Sequence, residues 1–331
     1  MTADVIFVIL GLAMLVAGGE VMIRGATGLA SGLGVSPLAI GLTVVAFGTS
    51  APELAVNVNA ALLGNGGVSF GNIIGSNMAN IGLIVGLTAL IRPISIRRSF
   101  VSRELLMMLL ATVATMIMCF DTALGRGPSP NGFENGFSRG EGLVLLLLFL
   151  IFLFYTVGDF VRQRGRHDAT TLVKGEEPVS VKKAAMLTMI GLVGLVGGAD
   201  ITVDAAVSIA EAAGVSDVII GLTMLAVGTS LPELVASIMA IRQGHVELAI
   251  GNVVGSNIFN LLLVLGVTNV IRPFEIPEGG HIDLAVMFLL SVMLMAVSIT
   301  GRRRIIRTEA ALLLLTYISY MVWRSLGALG T

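Results

Sequence analysis

A stretch of 53 residues occurs twice in this chain. Gly41–Pro93, GLTVVAFGTSAPELAVNVNAALLGNGGVSFGNIIGSNMANIGLIVGLTALIRP, returns as Gly221–Pro273, GLTMLAVGTSLPELVASIMAIRQGHVELAIGNVVGSNIFNLLLVLGVTNVIRP. The shift is 180 residues without a gap, and 24 of the 53 aligned positions are identical. Apolar composition alone would match far fewer, so the unit is duplicated. The retained polar pairs include Thr49/Thr229, Ser50/Ser230, Glu53/Glu233, Asn72/Asn252, Ser76/Ser256, Asn77/Asn257 and Asn80/Asn260. These all bear side-chain oxygen, and all lie in segments otherwise apolar enough to cross a bilayer. An ionisable side chain at such a depth costs about 2.5–3.5 kcal/mol even on the gentler insertion scales. A cost borne twice points to function.

The rest of the chain agrees with a membrane solvent. It is 55% hydrophobic and 12% charged, where a soluble domain carries about a quarter charged residues. Its 331 residues are used up by ten spans of about 20 residues each with short connections, leaving no sizeable soluble domain. The apolar runs put those spans near 5–28, 37–63, 69–91, 103–120, 142–160, 184–207, 217–242, 248–270, 282–300 and 306–326. The first run, Val5–Val16, continues past Glu20 and Arg24 with no small-residue cleavage pattern, and reads as a span and not as a removable signal peptide. Cys119 is the only cysteine, so no intrachain disulfide forms.

The repeat extends beyond its core. Gly11, Val16, Gly18, Ala26, Ala30 and Gly34-Val35-Ser36 match Gly191, Val196, Gly198, Ala206, Ala210 and Gly214-Val215-Ser216. Each half is therefore about five spans, residues 1–160 and 184–331, joined by the charged linker 161–183. An odd number of spans per half makes the second half enter from the opposite side, which inverts the copies about an axis in the membrane plane. The fold expected is all-α and polytopic, ten transmembrane helices in two inverted five-helix repeats with the second and seventh helices broken. Charge points the same way. With both termini outside, 16 of the 20 Lys and Arg residues fall inside, and only Arg126, Arg139, Arg272 and Arg324 fall outside.

The polar pairs specify a chemistry. Pro52 and Pro232 each remove an N–H and crowd the carbonyl four residues back, at Gly48 and Gly228. The helix is expected to kink or unwind around Gly48–Pro52 and Gly228–Pro232, and such backbone survives in lipid only inside protein or against a cavity. Carbonyls ending a half-helix carry partial negative charge, and Glu53 and Glu233 follow the prolines directly. An all-oxygen donor set favours Ca²⁺, Na⁺ or Mg²⁺ over softer metals. The Gly-Ser-Asn segments also read as small residues for close helix approach, with Asn72, Asn252, Asn77 and Asn257 bonding across helices. Glu20 and Arg24, four apart, read as a pair on one helix face. An enzyme is not expected. Ser50 and Ser230 have no intramembrane His or Lys as base, since His167, His245 and His281 fall in or near loops. No P-loop is present either. A cation channel is the remaining rival to alternating access.

The paired Gly-Thr-Ser-x-Pro-Glu and Gly-Asn-x-x-Gly-Ser-Asn-x-x-Asn segments resemble the alpha repeats of the calcium/cation antiporter superfamily, specifically sodium/calcium exchangers. The resemblance extends over the ten-span plan and is nearest to the bacterial type without a large cytosolic regulatory domain. It implies electrogenic exchange of Na⁺ for Ca²⁺ as cargo ions, no resident cofactor, and a multi-pass protein of the inner membrane. Neither nucleic acid nor an obligate protein partner is implied. Carried over by position, Glu53 and Glu233 are the central ligands, with backbone carbonyls of Ala46, Thr49, Ala226 and Thr229. Ser50, Ser76, Ser230 and Ser256 complete sodium sites, and Asn80 and Asn260 line the middle. Several microbial and potassium-dependent members carry Asp where this chain has Asn260, which leaves Ca²⁺/H⁺ or K⁺-dependent exchange as the alternatives.

Overall fold

The computed structural model describes residues 2–96, 100–120, 135–164, 180–213, 226–300 and 304–329. The middle of the linker, the start of the second motif copy at 221–225, Gly214-Val215-Ser216, and Arg97, Arg98, Arg126, Arg166, His167, Lys174, Arg302 and Arg303 lie outside the described residues.

The chain is helical nearly throughout. Helix α1 (Thr2–Leu33) is followed by α2 (Pro37–Ile40), a π-helical turn at Gly41–Val45, α3 (Ala46–Thr49) and α4 (Ala51–Leu63). Helix α5 (Gly66–Met78) runs through π-helical Ala79–Val85 into α6 (Gly86–Ile91), and π-helical Val101–Leu105 leads into α7 (Leu106–Cys119). Then come α8 (Arg139–Arg164), α9 (Val181–Ala212), α10 (Ala226–Thr229) and α11 (Leu231–Arg242). Helix α12 (Val246–Ile258) continues through π-helical Phe259–Val264 into α13 (Leu265–Ile271), and α14 (Gly280–Ile299) and α15 (Arg307–Leu329) follow. Among the described residues seven helices are long and apolar enough to cross a membrane, and the broken pair Pro37–Thr49 with Ala51–Leu63 is an eighth if taken as one span. Helix α15, at 23 residues, reaches about 34 Å at 1.5 Å per residue. The span expected at 217–242 is described only from residue 226.

The breaks fall one residue before the prolines' helices begin. Helix α3 stays intact to Thr49, Ser50 alone takes a turn conformation (φ −84°, ψ 3°), and α4 restarts with Pro52 in its first turn. Ser230 repeats this (φ −90°, ψ 4°) ahead of α11. Proline is tolerated in a first turn because its missing N–H would have no intrahelical partner there. The helix pair Pro37–Thr49 and Ala51–Leu63 therefore bends by 43° at one residue, within the Gly48–Pro52 stretch expected to kink or unwind.

The chain divides into two compact units, Met1–Thr49 with Leu153–Gly255, and Ser50–Phe152 with Ser256–Thr331. Each draws on both motif copies. In the first unit, α1 and α9, 32 residues each, cross antiparallel at glycines. A methyl on Gly18 would lie 2.7 Å from Leu195 N, and one on Gly198 would lie 2.7 Å from Leu15 N. Likewise one on Gly11 would meet Thr202 N at 2.8 Å, and one on Gly191 would meet Met22 N at 2.3 Å. These contacts are reciprocal under the shift of 180 residues: Gly11 and Gly18 become Gly191 and Gly198, Leu15 and Met22 become Leu195 and Thr202. A contact that recurs with its partners exchanged is the signature of a twofold relation.

In the second unit two short antiparallel ladders tie the helix ends. Ile94 and Ser95 (β1) pair with Ile305 and Arg304 (β4), and Gly136 and Phe137 (β2) pair with Glu275 and Phe274 (β3). Arg307 Nε donates to Leu90 O at 3.0 Å beside the first ladder. At the far end of α14 and α15, Asp283 accepts from Tyr320 and from Arg324 Nε. Of the most apolar 18-residue stretch, 83% is buried within Gly66–Ile91 and 94% within Val246–Ile271, against 28% within Val101–Cys119 and within Arg139–Asp159. The two motif helices are thus the enclosed ones, and the leucine-rich helices shield them.

Candidate cation site

Each unit holds one of the two motif glutamates. In the first unit Glu233 is 0% exposed, in the first turn of α11, where the positive end of the helix dipole favours a carboxylate. Helix α11 packs on α3, which carries Ala46 and Thr49. Asn252 joins them. Its Oδ1 accepts from Thr49 Oγ1 at 3.1 Å, and its Nδ2 donates to Ser237 Oγ at 3.2 Å and reaches Glu233 O at 3.5 Å. Thr49 Oγ1 also lies 3.4 Å from Ala46 O. Ser230 Oγ, at the break, is buried without a hydrogen-bond partner among the described residues, which leaves a hydroxyl oxygen available to a ligand.

In the second unit Glu53 is 1% exposed, in the first turn of α4. Helix α4 packs against α5, against π-helical Phe259–Val264 and against α13. Asn57 Nδ2 donates to Glu53 O and to Asn72 Oδ1, both at 2.7 Å, and Ser69 Oγ lies 3.4 Å from Asn57 O. Asn80 Nδ2 donates to Asn257 Oδ1 at 3.0 Å, and Asn257 Nδ2 donates to Met108 Sδ at 3.5 Å. Asn77 Nδ2 returns to its own helix at Ile73 O, 2.7 Å away. Asn80 Oδ1 and both amide atoms of Asn260 are buried with no hydrogen-bond partner among the described residues.

Of the residues singled out from sequence, Thr49, Ser50, Glu53, Ser76, Asn80, Ser230, Glu233, Ser256 and Asn260 are all buried, at most 3% exposed. Thr229 is half-buried, and Ala226 opens α10. Glu20 and Arg24 do pair, at the exposed surface of α1. Asn72, Asn252 and Asn257 bond across helices, and so tie together elements that carry the motif polar residues. Sequence reasoning passed over Asn57 and Ser237. They are mates under the 180-residue shift and make the same contact, Asn57 to Asn72 and Ser237 to Asn252. A search for polar positions in both copies, without demanding identity, would have found them. The π-helical turns beginning at the mated positions Ala79 and Phe259 had no sequence signal, though such turns are frequent at functional sites.

Among the described residues no group of three or more His, Cys, Asp or Glu gathers. A cation at Glu53 or Glu233 would be completed by hydroxyl, amide and carbonyl oxygens, which is the donor set of Ca²⁺ and Na⁺ and not of a soft metal.

The family model described as sodium/calcium exchanger protein matches residues 4–158 and 183–326. CaxA of Alkalimonas amylolytica, named as a candidate antiporter, is 36% identical, the match covering 97% of this chain and 98% of that protein. The sodium/calcium exchanger MaX1 of Methanosarcina acetivorans is 31% identical over the same shares of each. Among solved structures, the sodium-calcium exchanger NCX_Mj soaked with Na⁺ and Ca²⁺ superposes with a TM-score of 0.81 at 33% identity, over 97% of this chain and 98% of that one.

Proposed function

This chain belongs to the sodium/calcium exchanger family, and from that premise we propose that it exchanges Ca²⁺ for Na⁺ across the membrane by alternating access. It is a multi-pass membrane protein and a transporter by family. The observation that carries the reading is a pair of buried glutamates, Glu53 and Glu233, each in the first turn of a half-helix that restarts after a matching break at Ser50 or Ser230. Both carboxylates bind the transported cation. Ser50, Ser76, Ser230 and Ser256 and the carbonyls of Ala46, Thr49, Ala226 and Thr229 complete the ligand sets, with Asn80 and Asn260 contributing amide oxygens. Two carboxylates balance one Ca²⁺, and Na⁺ takes the same hard oxygens.

The layout proposed is ten spans in two inverted halves, 1–160 and 184–331, linked through 161–183, with both termini outside the inner membrane. The reciprocal α1–α9 crossing supports the inversion. So do the ladders, since β1–β4 joins connections that the charge bias assigns inside, and β2–β3 joins connections it assigns outside.

Coupling is read from the asparagines. Neutral amides at Asn80 and Asn260 leave the charge at −2 from the two glutamates. A K⁺ bound together with Ca²⁺ would leave uncompensated positive charge away from water, and a proton carrier would need a further carboxyl. Uptake of radioactive Ca²⁺ into proteoliposomes under imposed Na⁺, K⁺ or H⁺ gradients tests this. Transport driven by Na⁺ and indifferent to K⁺ is expected. A need for K⁺, or equal transport on a proton gradient alone, overturns the coupling, and Ca²⁺ conduction with no opposing gradient would make the protein a channel.

A further inference from the structure

Met108 belongs to neither motif copy, yet it sits at the end of a chain of amides that reaches Asn80. Its side chain, on α7, is 1% exposed, and its sulfur accepts from Asn257 Nδ2 at 3.5 Å. Thioether sulfur accepts and cannot donate. The Asn257 amide therefore has one favourable orientation, because flipping it would set Oδ1 against the sulfur and Nδ2 against the Asn80 amide nitrogen. With Asn257 Oδ1 facing Asn80, the latter must donate its Nδ2, at 3.0 Å. The Asn80 carbonyl oxygen then points away from Asn257, buried and without a hydrogen-bond partner among the described residues. One acceptor sets the polarity of two amides in series.

The other copy has no such chain. At the matching place on α14 stands Met287, since Ser291 donates to Met287 O as Thr112 donates to Met108 O, and its sulfur takes no amide hydrogen bond among the described residues. Asn77, the mate of Asn257, donates to Ile73 O on its own helix. Asn260, the mate of Asn80, is 0% exposed with neither amide atom partnered among the described residues. The duplicated sequence thus presents one asparagine whose amide is oriented by a hydrogen bond and one whose amide has none among the described residues.

We propose that Met108 is a positioning residue: through Asn257, its sulfur holds the Asn80 carbonyl oxygen in the orientation that meets the transported cation. The proposal rests on the reading of Asn80 as a cation ligand, so Asn80→Ala is measured alongside. The assay is Na⁺-dependent Ca²⁺ uptake by the purified full chain in proteoliposomes, after a check that each variant is monodisperse. Met108→Leu keeps volume and apolarity, a swap that cores tolerate, and removes only the acceptor. It should raise the half-saturating Ca²⁺ concentration about five- to tenfold, the size of one oriented hydrogen bond, with the saturating rate within about twofold. Met108→Gln, which restores an acceptor oxygen, should recover most of the loss. Asn257→Leu breaks the same chain and should give the same shift, with no further loss in the Met108→Leu double variant; it carries the test if Met108→Leu is not recovered as monodisperse protein. A packing role for Met108 predicts the reverse, with leucine unaffected and glutamine impaired, and that result overturns the proposal, as does additivity in the double variant. If Asn80→Ala shifts half-saturation and Met108→Leu does not, the positioning chain alone is wrong. If Asn80→Ala changes nothing, the ligand reading of Asn80 fails and the proposal with it.

Discussion

Replacing Asn252 by leucine removes the side chain that ties α3 to the helix of Glu233. The asparagine makes two well-formed hydrogen bonds, to Thr49 Oγ1 at 3.1 Å and Ser237 Oγ at 3.2 Å, and a marginal one to Glu233 O at 3.5 Å. Each well-formed neutral bond nets about 1 kcal/mol, so the pair contributes about 2 kcal/mol. Ser237, 0% exposed, loses its donor, and Thr49 keeps only the 3.4 Å approach to Ala46 O. A buried polar group left without a partner adds about 1–3 kcal/mol, which brings the expected destabilisation to roughly 3–5 kcal/mol. Thr49→Val removes one bond and strands Asn252 Oδ1. Combined with Asn252→Leu it strands nothing further at that contact, so the double variant should be more stable than the sum of the singles predicts by about 1 kcal/mol. Thermal unfolding in detergent measures the stabilities, and Na⁺-dependent Ca²⁺ uptake measures the effect on half-saturation, which should rise in Asn252→Leu as Thr49 and the Glu233 backbone lose their shared tether. Additive destabilisation, or an Asn252→Leu protein with unchanged melting and unchanged uptake, would refute the network as drawn.

Glu53→Gln and Glu233→Gln should each abolish Ca²⁺ exchange in protein that stays monodisperse, because one remaining carboxylate under-neutralises a divalent ion held away from water; near-normal uptake in either withdraws that residue from the site. In a Cys119→Ser background, cysteines near Ser129 and Thr331 should react with an impermeant thiol reagent from outside, whereas cysteines near Thr170 and Thr300 should be protected until the inner face is opened. Labelling of Ser129 and Thr170 positions from one side contradicts the inverted layout. Gly191→Ala puts a methyl 2.3 Å from Met22 N, so α1 and α9 must part by about 1 Å and lose about 1–3 kcal/mol, seen as a lower melting temperature. Gly158→Ala, with nothing within 4 Å, should be neutral or slightly stabilising, and equal effects at both glycines count against the close crossing. Asn260→Asp should change which monovalent cations support uptake while leaving the melting temperature near that of the unsubstituted protein, and an unchanged cation dependence speaks against Asn260 as a ligand.

How far the sequence could be read depends on whether a feature is local or a matter of partners. Hydropathy marks spans because the bilayer core has a fixed thickness, and the duplication isolates Glu53 and Glu233 because identity at a buried carboxylate is hard to keep by chance. The break was legible as a consequence of Pro52 and Pro232, but its position at Ser50 and Ser230 was not. Proline in a first turn costs little, so α3 runs on to Thr49. Gly11, Gly18, Gly191 and Gly198 were visible as matched positions, while their pairing across α1 and α9 requires the packed helices. Asn57 and Ser237 make one contact with two residue types, and a comparison by identity discards them. Met108 gives no sequence signal, because a thioether acts as an acceptor only when an amide is aimed at it.

The two copies diverge at the side chains that hydrogen-bond the motif asparagines, while the residues proposed as ligands are kept. In the first, Asn57 donates to Asn72; in the second, Asn252 donates to Ser237, so the hydrogen bond runs the opposite way between mated positions. That reversal has a consequence for Asn252. With its nitrogen directed at Ser237, its oxygen is turned to accept from Thr49, which ties α3 to the helix of Glu233. The same logic separates Asn80, whose amide is committed to Asn257, from Asn260, whose amide is committed to nothing among the described residues. A ligand oxygen already in position binds with little reorganisation, whereas a free amide can present its oxygen to a cation or its nitrogen elsewhere as occupancy changes. Exchange needs a protein that holds one Ca²⁺ or several Na⁺ on overlapping oxygens. On the ligand reading proposed for Asn80 and Asn260, one amide held by Asn257 and one without a hydrogen bond would let the same two side chains serve either ion.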